Sequence, residues 1–156
     1  MSEKPPAVRP LAANRKALHE YHVLERLEAG LVLTGTEVKS CRAGRVQLRE
    51  GYVDFRGNEA WLVGVHITGY EPGSRDNPPP ERERKLLLAR REIDRFAGRA
   101  RAKGFTVVPL SLYLKGSRIK LEIALVQGKQ MHDKRETERR RELEREARRA
   151  MAGERD

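Results

Sequence analysis

Apolar and polar residues alternate along much of the chain before residue 128, and this period of two is typical of β-strands. The clearest strands lie on either side of Gly116-Ser117, a dipeptide that favours a tight turn. Pro109 has no backbone N–H, so we expect its strand to lie at an edge or to contain a bulge there. One face of this predicted hairpin consists of Thr106, Val108, Leu110, Leu112 and Leu114, together with Ile119, Leu121, Ile123 and Leu125.

A second predicted hairpin turns at Gly57-Asn58, after a strand that contains Val53 and Phe55. Further strands are predicted at residues 31–33 and 46–48, which brings the expected number to about six. On the strand that follows Gly57-Asn58, we expect one face to consist of Trp61, Val63, Val65 and Ile67.

Three short helices are predicted between the strands. Asn14 is a suitable N-cap for the first helix, and Thr34 with Glu37 forms a capping box for the second. Gly44 and Gly104 are the expected ends of the second and third helices. The expected buried faces are Ala17, Leu18 and Tyr21 in the first helix, Val38 and Cys41 in the second, and Ile93, Phe96, Ala97 and Ala100 in the third, over about residues 90–103.

Composition divides the chain into three segments. Residues 1–13 contain three prolines and are predicted to be a flexible leader. Residues 14–127 are predicted to form one folded domain, in which the proline-rich segment 72–84 is a mobile loop. Residues 128–156 hold ten Lys/Arg and eight Asp/Glu, with opposite charges at helical spacing. We predict that this tail is disordered in the free protein and becomes helical on binding.

The predicted fold class follows from many short strands in a small chain. The chain is 38% hydrophobic and 36% charged, and its folded segment is long enough to bury an adequate core. We therefore predict a mainly β protein with short helices. Its expected architecture is a small closed oligonucleotide-binding-like β-barrel of about six strands, followed by the charged C-terminal tail.

The net charge of +10 favours a polyanionic partner. A membrane is the weaker candidate, because no stretch approaches the ~18–20 apolar residues of a spanning helix. The N-terminal residues lack the apolar core of a signal peptide. The single cysteine, Cys41, excludes an internal disulfide and fits a reducing compartment, so we expect a cytoplasmic protein.

Motifs for enzyme chemistry are missing from the sequence. The glycine spacing over residues 30–36 resembles a phosphate loop but lacks its lysine, and no GxSxG, HExxH or CxxC motif occurs. The four histidines are scattered, and we interpret Cys41 as a packed apolar residue. We therefore expect no enzyme activity, no cofactor, no bound metal and no small-molecule substrate.

Basic clusters are frequent, and together they predict binding to RNA or DNA. A β surface suits irregular or single-stranded RNA better than the grooves of a duplex. On these grounds alone, a general oligonucleotide-binding or ribosomal RNA-binding protein stays open as an alternative. The clusters are Arg15-Lys16; Lys39, Arg42 and Arg45; Arg82, Arg84, Lys85, Arg90 and Arg91; and Arg95, Arg99, Arg101 and Lys103.

Five separated motifs, in this order, resemble the small protein B family, the SsrA-binding proteins of bacteria. The resemblance covers about residues 14–136. The motifs are Asn14-Arg15-Lys16-Ala17-Leu18-His19-Glu20-Tyr21, Glu28-Ala29-Gly30, Gly35-Thr36-Glu37-Val38-Lys39-Ser40-Cys41-Arg42-Ala43-Gly44, Arg84-Lys85-Leu86-Leu87-Leu88, and residues 128–135 from Gly128 to Arg135.

The resemblance implies an RNA-binding adaptor that is not an enzyme. Members of the family bind the tRNA-like domain of transfer-messenger RNA and deliver it, with elongation factor Tu, to ribosomes stalled without a stop codon. The nascent chain then receives a degradation tag in the process called trans-translation. The resemblance also implies that the tail becomes helical in the empty mRNA channel and reaches the decoding centre.

Two groups of residues are the candidate sites. Basic side chains can neutralise phosphates, and His or Tyr rings can stack on unpaired bases. The resemblance implies RNA contact by Asn14, His19, Glu28 and Leu87, and His132 resembles the residue that meets decoding-centre bases. The full RNA-binding set is Asn14, Arg15, Lys16, His19, Tyr21, Glu28, Lys85 and Leu87, and the ribosome-binding set is Gly128, Lys129, His132, Asp133, Lys134 and Arg135.

Overall fold

The computed structural model describes residues 7–70 and 77–129 and the backbone of residues 131–151, with side chains over residues 138–150 of that last segment. Within these described residues the helices are α1 (Arg15–Glu20), α2 (Gly35–Arg42), α3 (Arg90–Ala100) and α4 (Met131–Met151). The strands in the same part of the chain are β1 (Val8–Ala13), β2 (Tyr21–Leu31), β3 (Val46–Gln47), β4 (Tyr52–Arg56), β5 (Glu59–Val63), β6 (His66–Ile67), β7 (Arg84–Leu87), β8 (Phe105–Lys115) and β9 (Arg118–Gly128).

Seven of these strands form one antiparallel sheet in the order β1-β8-β9-β2-β7-β5-β4, and β3 pairs separately with β6. The prediction of a mainly β protein with short helices is confirmed, whereas the predicted closure into a barrel is wrong. The edge strands β1 and β4 are not paired with each other. Strand β4 approaches β8 without pairing with it, and β1 pairs with residues 111–115 of β8 while β9 pairs along its other edge.

Strand β1 lies within the segment that we predicted to be a flexible leader, so that prediction is wrong for residues 8–13. The strand pairs with β8 through Val8–Lys115 to Ala13–Ser111, with a register shift between Pro10 and Ala12. The prolines do not prevent this pairing, because β1 lies at the edge of the sheet, where a missing N–H is tolerated. Residues 1–6 lie outside the described part of the chain.

The main core lies on one face of the sheet, which we call the inner face, where α3 inserts Ile93 and Phe96. A second, smaller cluster lies on the opposite face beneath α1, where Ala17 packs with Val108 and Leu110. Strand β8 therefore buries residues on both faces. Of the edge or bulge predicted at Pro109, the bulge is confirmed as a register shift between Pro109 and Ser111. The prediction that the apolar residues of β8 share one face is wrong, because this shift leaves Leu112 in the main core and Val108 and Leu110 in the second cluster.

Most of the predicted turns and caps are confirmed. Gly57 and Gly116 have φ of 61° and 62° in the hairpins β4–β5 and β8–β9, where a side chain would be strained. Thr34 and Glu37 form the predicted reciprocal capping box of α2. In α1, by contrast, Leu18 is not buried but 51% exposed.

The predicted face of the return strand β5 is wrong. Ala60 and Leu62 are the buried residues, whereas Trp61 lies on the other face and is only partly buried. Gly64, with φ of 78°, interrupts the alternation, so that Val65 and Ile67 return to the core. The strand predicted at residues 31–33 is also different, because it is the end of the eleven-residue strand β2.

The tail forms the helix α4 from Met131 to Met151, and Arg145 contacts Glu142 at 2.9 Å on its exposed surface. Helix is the conformation that we predicted for the bound tail, and the disorder predicted for the free tail stays a prediction. In the proline-rich segment, residues 77–83 contain no regular element and Arg84 begins β7. The mobile loop predicted over residues 72–84 includes residues 72–76, which lie outside the described chain.

Candidate RNA interface

The face of the sheet opposite the main core carries a continuous polar and aromatic surface, which we call the outer face. Its members alternate with core residues along β8, β9, β2, β7 and β5, because successive side chains of a strand point to opposite faces. Three predicted RNA contacts, Glu28, Lys85 and Leu87, lie on it. The outer face consists of Tyr113, Lys115, Lys120, Glu122, Arg26, Glu28, Gly30, Lys85, Leu87 and Trp61.

Glu28 on β2 is contacted by two residues from β8. The Tyr113 hydroxyl donates to Glu28 Oε2, and Lys115 Nζ lies 3.3 Å from Glu28 Oε1. The hydrogen bond from Tyr113 lowers the pKa of Glu28, and so do the positive charges of Lys115 and Lys120. Together they outweigh the opposing effect of partial burial. Desolvation and the adjacent Glu28 carboxylate raise the pKa of Tyr113, which keeps its hydroxyl proton available to donate. Glu28 is therefore an ionised acceptor in a fixed orientation.

Leu87 and Gly30 are direct cross-strand partners next to Glu28. The Leu87 side chain is 54% exposed, although leucine is usually buried. Gly30 also pairs with Lys120 on the other side, and a Cβ at Gly30 would lie only 3.2 Å from Leu87 Cβ. The missing side chain leaves a bare stretch of sheet between a cation and an exposed apolar group. This region borders a cavity of about 330 Å³, with Arg118 and Ile119 in its wall.

Lys85 and Trp61 continue the outer face toward the sheet edge. Lys85 Nζ lies 2.7 Å from Glu59 Oε2, and both side chains stay about 40% exposed (42% and 41%). Arg56 lies over the Trp61 ring at 5.7 Å from its centroid, a cation–π distance. Asp54 and Glu83 hold this arginine at 2.9 and 2.6 Å. This end of the outer face therefore has more internal charge pairing than the end around Glu28.

Asn14 has a structural position that differs from the predicted RNA contact. Its side chain is only 3% exposed, and its Nδ2 donates to the Pro109 carbonyl at 2.8 Å. Its Oδ1 accepts from the Ala17 backbone N–H at 3.1 Å, which confirms the predicted N-cap. Asn14 thus attaches α1 to the bulged part of β8 and positions the residues that follow it.

The other predicted residues of this region surround α1. Arg15 is exposed, and Lys16 forms a 3.1 Å ion pair with Glu50 beside a cavity of about 340 Å³. Tyr21 also borders that cavity and packs against the second cluster, while His19 is partly buried. Glu28 lies seven positions after Tyr21 on the extended strand β2, roughly 23 Å at about 3.3 Å per residue. The exposed and partly buried predicted residues therefore form two patches, the α1 patch at one end of β2 and the outer face toward the other. The α1 patch consists of Arg15, Lys16, His19 and Tyr21.

The residues predicted to contact the ribosome divide between the sheet and the tail. Gly128 is the last residue of β9 and donates to the Gly104 carbonyl at 3.1 Å, and the Lys129 N–H donates to the Glu20 carbonyl at 2.9 Å. These two residues therefore extend the folded domain by two positions. His132, Asp133, Lys134 and Arg135 lie in α4, and their side chains are outside those described.

Sequence reasoning missed Tyr113, Lys115 and Lys120 as candidates. The signal was present, because Tyr113 and Lys115 alternate with Leu112 and Leu114 in β8. The leucines indicated the face of β8 that packs in the core. Tyr113 and Lys115 could have been placed on the same face of the sheet as Glu28 only if the strand order had been known. The pairing of β9 between β8 and β2 is what brings Tyr113 to Glu28.

Residues suited to other chemistry are placed differently. Burial raises the pKa of the Cys41 thiol to about 12, with a further contribution from Glu37, so the group is an inert packed residue as predicted. Over the described ranges, no three His, Cys, Asp or Glu side chains are grouped closely enough to hold a metal ion. None of the helices in the part of the chain that the structure describes is long and apolar enough to span a membrane.

An open antiparallel sheet with an exposed cationic and aromatic face, on a chain of net charge +10, defines a nucleic-acid-binding β protein. The family model described as "SmpB protein" matches residues 11–153, so the chain belongs to the SmpB family. It is 54% identical over 150 residues to the SsrA-binding protein of Coxiella burnetii (strain Dugway 5J108-111), covering 95% of this chain and 94% of that protein.

Two further comparisons agree with this assignment. The SsrA-binding protein of Streptococcus pyogenes serotype M49 (strain NZ131) is 51% identical over 141 residues, covering 90% of this chain and 91% of that protein. A solved chain from a structure described as "tmRNA-SmpB: a journey to the center of the bacterial ribosome" superimposes with a TM-score of 0.68. It is 42% identical and covers 79% of this chain and 87% of that one.

Proposed function

We propose that this chain binds transfer-messenger RNA and acts with it on stalled ribosomes in trans-translation. The observation that carries the proposal is membership of the SmpB family over nearly the whole chain, with a solved relative from a tmRNA-SmpB ribosome structure. The net charge of +10 supports an RNA partner, because neutralising phosphates releases counterions and drives binding. The role is that of an adaptor in the cytoplasm and not of an enzyme.

The folded domain supplies the RNA-binding surface. We propose that the tRNA-like domain of the RNA lies along β2, in contact with both the α1 patch and the outer face. Arg15 is exposed and available to a phosphate, whereas Lys16 and Lys85 would exchange their carboxylate partners for phosphates on binding. His19 and Tyr21 would stack on or hydrogen-bond to unpaired bases at the α1 patch.

The tail supplies the contact with the ribosome. We propose that α4 enters the mRNA channel that a truncated message leaves empty, with its first residues at the decoding centre. The helix from Met131 to Met151 carries arginines at many exposed positions, which suits a channel made of ribosomal RNA. His132, Asp133, Lys134 and Arg135 are the proposed decoding-centre residues, and elongation factor Tu would join through the RNA.

The test is titration of the full-length protein into transfer-messenger RNA at fixed salt, with bulk transfer RNA and unstructured RNA as competitors. We expect strong preference for transfer-messenger RNA. Lys85→Ala should weaken binding and lower the salt dependence by about one unit of slope, because one phosphate contact is lost. Lys103→Ala removes the same charge outside both patches and serves as the matched control.

Equal displacement by every RNA would contradict the proposal and favour a general oligonucleotide-binding or ribosomal RNA-binding protein. Equal effects of Lys85→Ala and Lys103→Ala would show that net charge, and not the outer face, determines the affinity.

A further inference from the structure

The sheet contains a gap at one end of the outer face, where β2 and β9 separate. The ladder between these two strands ends at the pair Gly30–Lys120. Leu31, the next residue of β2, pairs with Leu86 of β7 and not with Ile119 of β9. The cavity of about 330 Å³ lies at this gap. Side chains beside the gap therefore line a space open to solvent and do not pack across a ladder.

The wall of this cavity is mostly apolar. Leu31, Leu33 and Ile119 pack against the main core and stay partly exposed. Val38 of α2 continues the wall, and Leu87 contributes a side chain that is 54% exposed. Accessible apolar side chains in a concave space favour the binding of an apolar group, because such a group removes them from water. The cavity therefore suits an occupant with an apolar body.

Two cations line the cavity, and no carboxylate is among its lining residues. Within the described part of the chain, neither Arg118 nor Lys120 forms an ion pair. The charge of Glu28 reaches Lys120, but the Glu28 carboxylate accepts from Tyr113 and Lys115. The cavity therefore attracts a negative charge, and an anionic occupant would give both cations a partner.

Two other cavities lack this combination of apolar wall and unopposed positive charge. The cavity of about 340 Å³ beside α1 includes Glu20 and Glu50 among its lining residues. A cavity of about 400 Å³ lined by β4, α3 and β8 includes Asp54. These carboxylates would repel an anion, so the cavity between β2 and β9 is better suited to one than either of these two.

The size and shape of the cavity favour a small molecule. A volume of about 330 Å³ lies at the lower end of the range for ligand pockets, about 300–1,000 Å³. Its lining residues come from the end of β2 and the segment after it, from α2, from β7 and from the β8–β9 turn, so the space is concave. A protein partner needs a contact surface of about 800 Å² and could place little more than one side chain here.

We propose that this cavity binds a small amphipathic carboxylate. Its apolar body would lie against Leu33, Val38 and Ile119, and its carboxylate would lie near Arg118 and Lys120. Leu87 and Lys120 also belong to the outer face, so the bound carboxylate and the RNA would compete. The binding site goes beyond the proposed function, and only the competition rests on that function.

The first test is titration of octanoate into the full-length protein, at fixed ionic strength and below the concentration at which octanoate forms micelles. Methyl resonances in NMR spectra report the place of binding. We expect shifts in the methyl groups of Leu33, Val38 and Ile119, and none in those of Val108 and Leu110, which belong to the second cluster beneath α1.

Two further probes separate the contributions of body and charge. Octylammonium has the same apolar body with the opposite charge, and acetate has the same charge without the body. Neither should shift the methyl resonances of the cavity. The absence of shifts with octanoate, or equal shifts with octanoate and octylammonium, would overturn the proposal.

Variants of the lining residues test the same two contributions. Arg118→Ala should weaken octanoate binding about threefold, the effect of one exposed ion pair, and Arg91→Ala removes an exposed arginine of α3 as the matched control. Val38→Phe should prevent binding by filling the cavity, whereas Ala97→Phe adds a ring in the cavity beside α3 and should not. Thermal unfolding verifies that each variant is folded. Equal affinities of Arg118→Ala and Arg91→Ala for octanoate would overturn the assignment of the carboxylate to Arg118.

Competition is tested by titration of transfer-messenger RNA in octanoate or in acetate at equal concentration and ionic strength. We expect weaker RNA binding in octanoate, and a smaller difference between the two salts for Arg118→Ala. Octanoate that shifts the cavity methyl resonances without weakening RNA binding would overturn the competition. A protein that binds no transfer-messenger RNA in either salt would overturn the proposed function, whereas the methyl shifts would still decide the carboxylate site.

Discussion

Glu37 on α2 and Arg84 on β7 form an ion pair inside the protein, with 2.6 Å between Arg84 Nη2 and Glu37 Oε2. Their side chains are 3% and 0% exposed. Arg84 also donates to the carbonyls of Val65 at 2.7 Å and Pro80 at 2.9 Å, and Glu37 accepts from the Thr34 N–H at 3.0 Å. Every charged group of the pair therefore has several partners, and the pair attaches α2 to the strand that carries Lys85 and Leu87.

Removing one member of this pair should be costly. We predict that Arg84→Met lowers the free energy of unfolding by about 3–5 kcal/mol, because it leaves the buried Glu37 carboxylate with incomplete compensation. Urea denaturation at neutral pH measures the change. Glu59→Ala breaks the exposed pair with Lys85 and should cost about 1 kcal/mol or less. Similar changes in the free energy of unfolding for the two variants would contradict the view that burial makes the Glu37–Arg84 pair more costly to break.

The stability of the protein should fall in acid partly through Glu37. Burial opposes ionisation of this carboxyl, but hydrogen bonds from Arg82, the Thr34 N–H and Arg84 outweigh it and lower its pKa. The folded pKa is thus below the unfolded value of about 4.3, so the stabilisation is present above about pH 4.3 and is lost as the pH falls through the folded pKa.

The corresponding measurement is urea denaturation of the wild type and Glu37→Gln between about pH 6 and pH 3. We expect a smaller loss of stability with acid in Glu37→Gln, since this variant has no carboxyl to protonate at that position. The variant Glu59→Gln is the control for a carboxyl on the surface. An acid dependence in Glu37→Gln as steep as that of the wild type would contradict the prediction.

Asn14 and Arg15 are adjacent in sequence but should respond differently to substitution. We predict that Asn14→Ala lowers the free energy of unfolding by about 1–3 kcal/mol, because α1 loses its cap and the Pro109 carbonyl loses a buried donor. Arg15→Ala should leave stability within about 0.5 kcal/mol and weaken RNA binding. Thermal unfolding and RNA titration of both variants test this. If Asn14→Ala instead weakened RNA binding without lowering stability, and Arg15→Ala lowered stability without weakening RNA binding, Asn14 would be the direct RNA contact and Arg15 would not.

The tail should be separable from RNA binding. We predict that ending the chain after Lys129 leaves binding of transfer-messenger RNA nearly intact and abolishes tagging in a translation reaction on a message without a stop codon. Ending it after Gln127 should in addition reduce stability, because the hydrogen bonds from Gly128 and Lys129 to the Gly104 and Glu20 carbonyls are lost. Loss of RNA binding and tagging to the same extent after Lys129 would show that the two functions are not divided in this way.

Local features of the chain were predictable because their causes lie within a few residues. The capping box at Thr34, the turn glycines Gly57 and Gly116 and the bulge at Pro109 each follow from backbone chemistry at the position itself. The excess of cations predicted the class of partner, since phosphate attraction depends on net charge before it depends on geometry.

Long-range pairing was not predictable from these signals. The sheet stays open because β4 lies near β8 without pairing with it, and pairing with β8 turns the proline-containing residues 8–13 into a strand. The burial of Asn14 depends on carbonyls that lie 34 and 95 residues away in sequence. Propensity and periodicity contain no information about such partners, because register and strand order follow from how the whole core packs.

The amino-acid sequence by itself determined the family, the main elements and the cationic character of this protein. Only the tertiary structure decided which polar residues share a surface. Tyr113 and Glu28 are 85 residues apart in sequence and meet because β9 lies between their strands in the sheet. The physical reason is that a hydrogen bond requires contact within a few ångströms, and strand pairing, not sequence position, brings these two side chains within that distance.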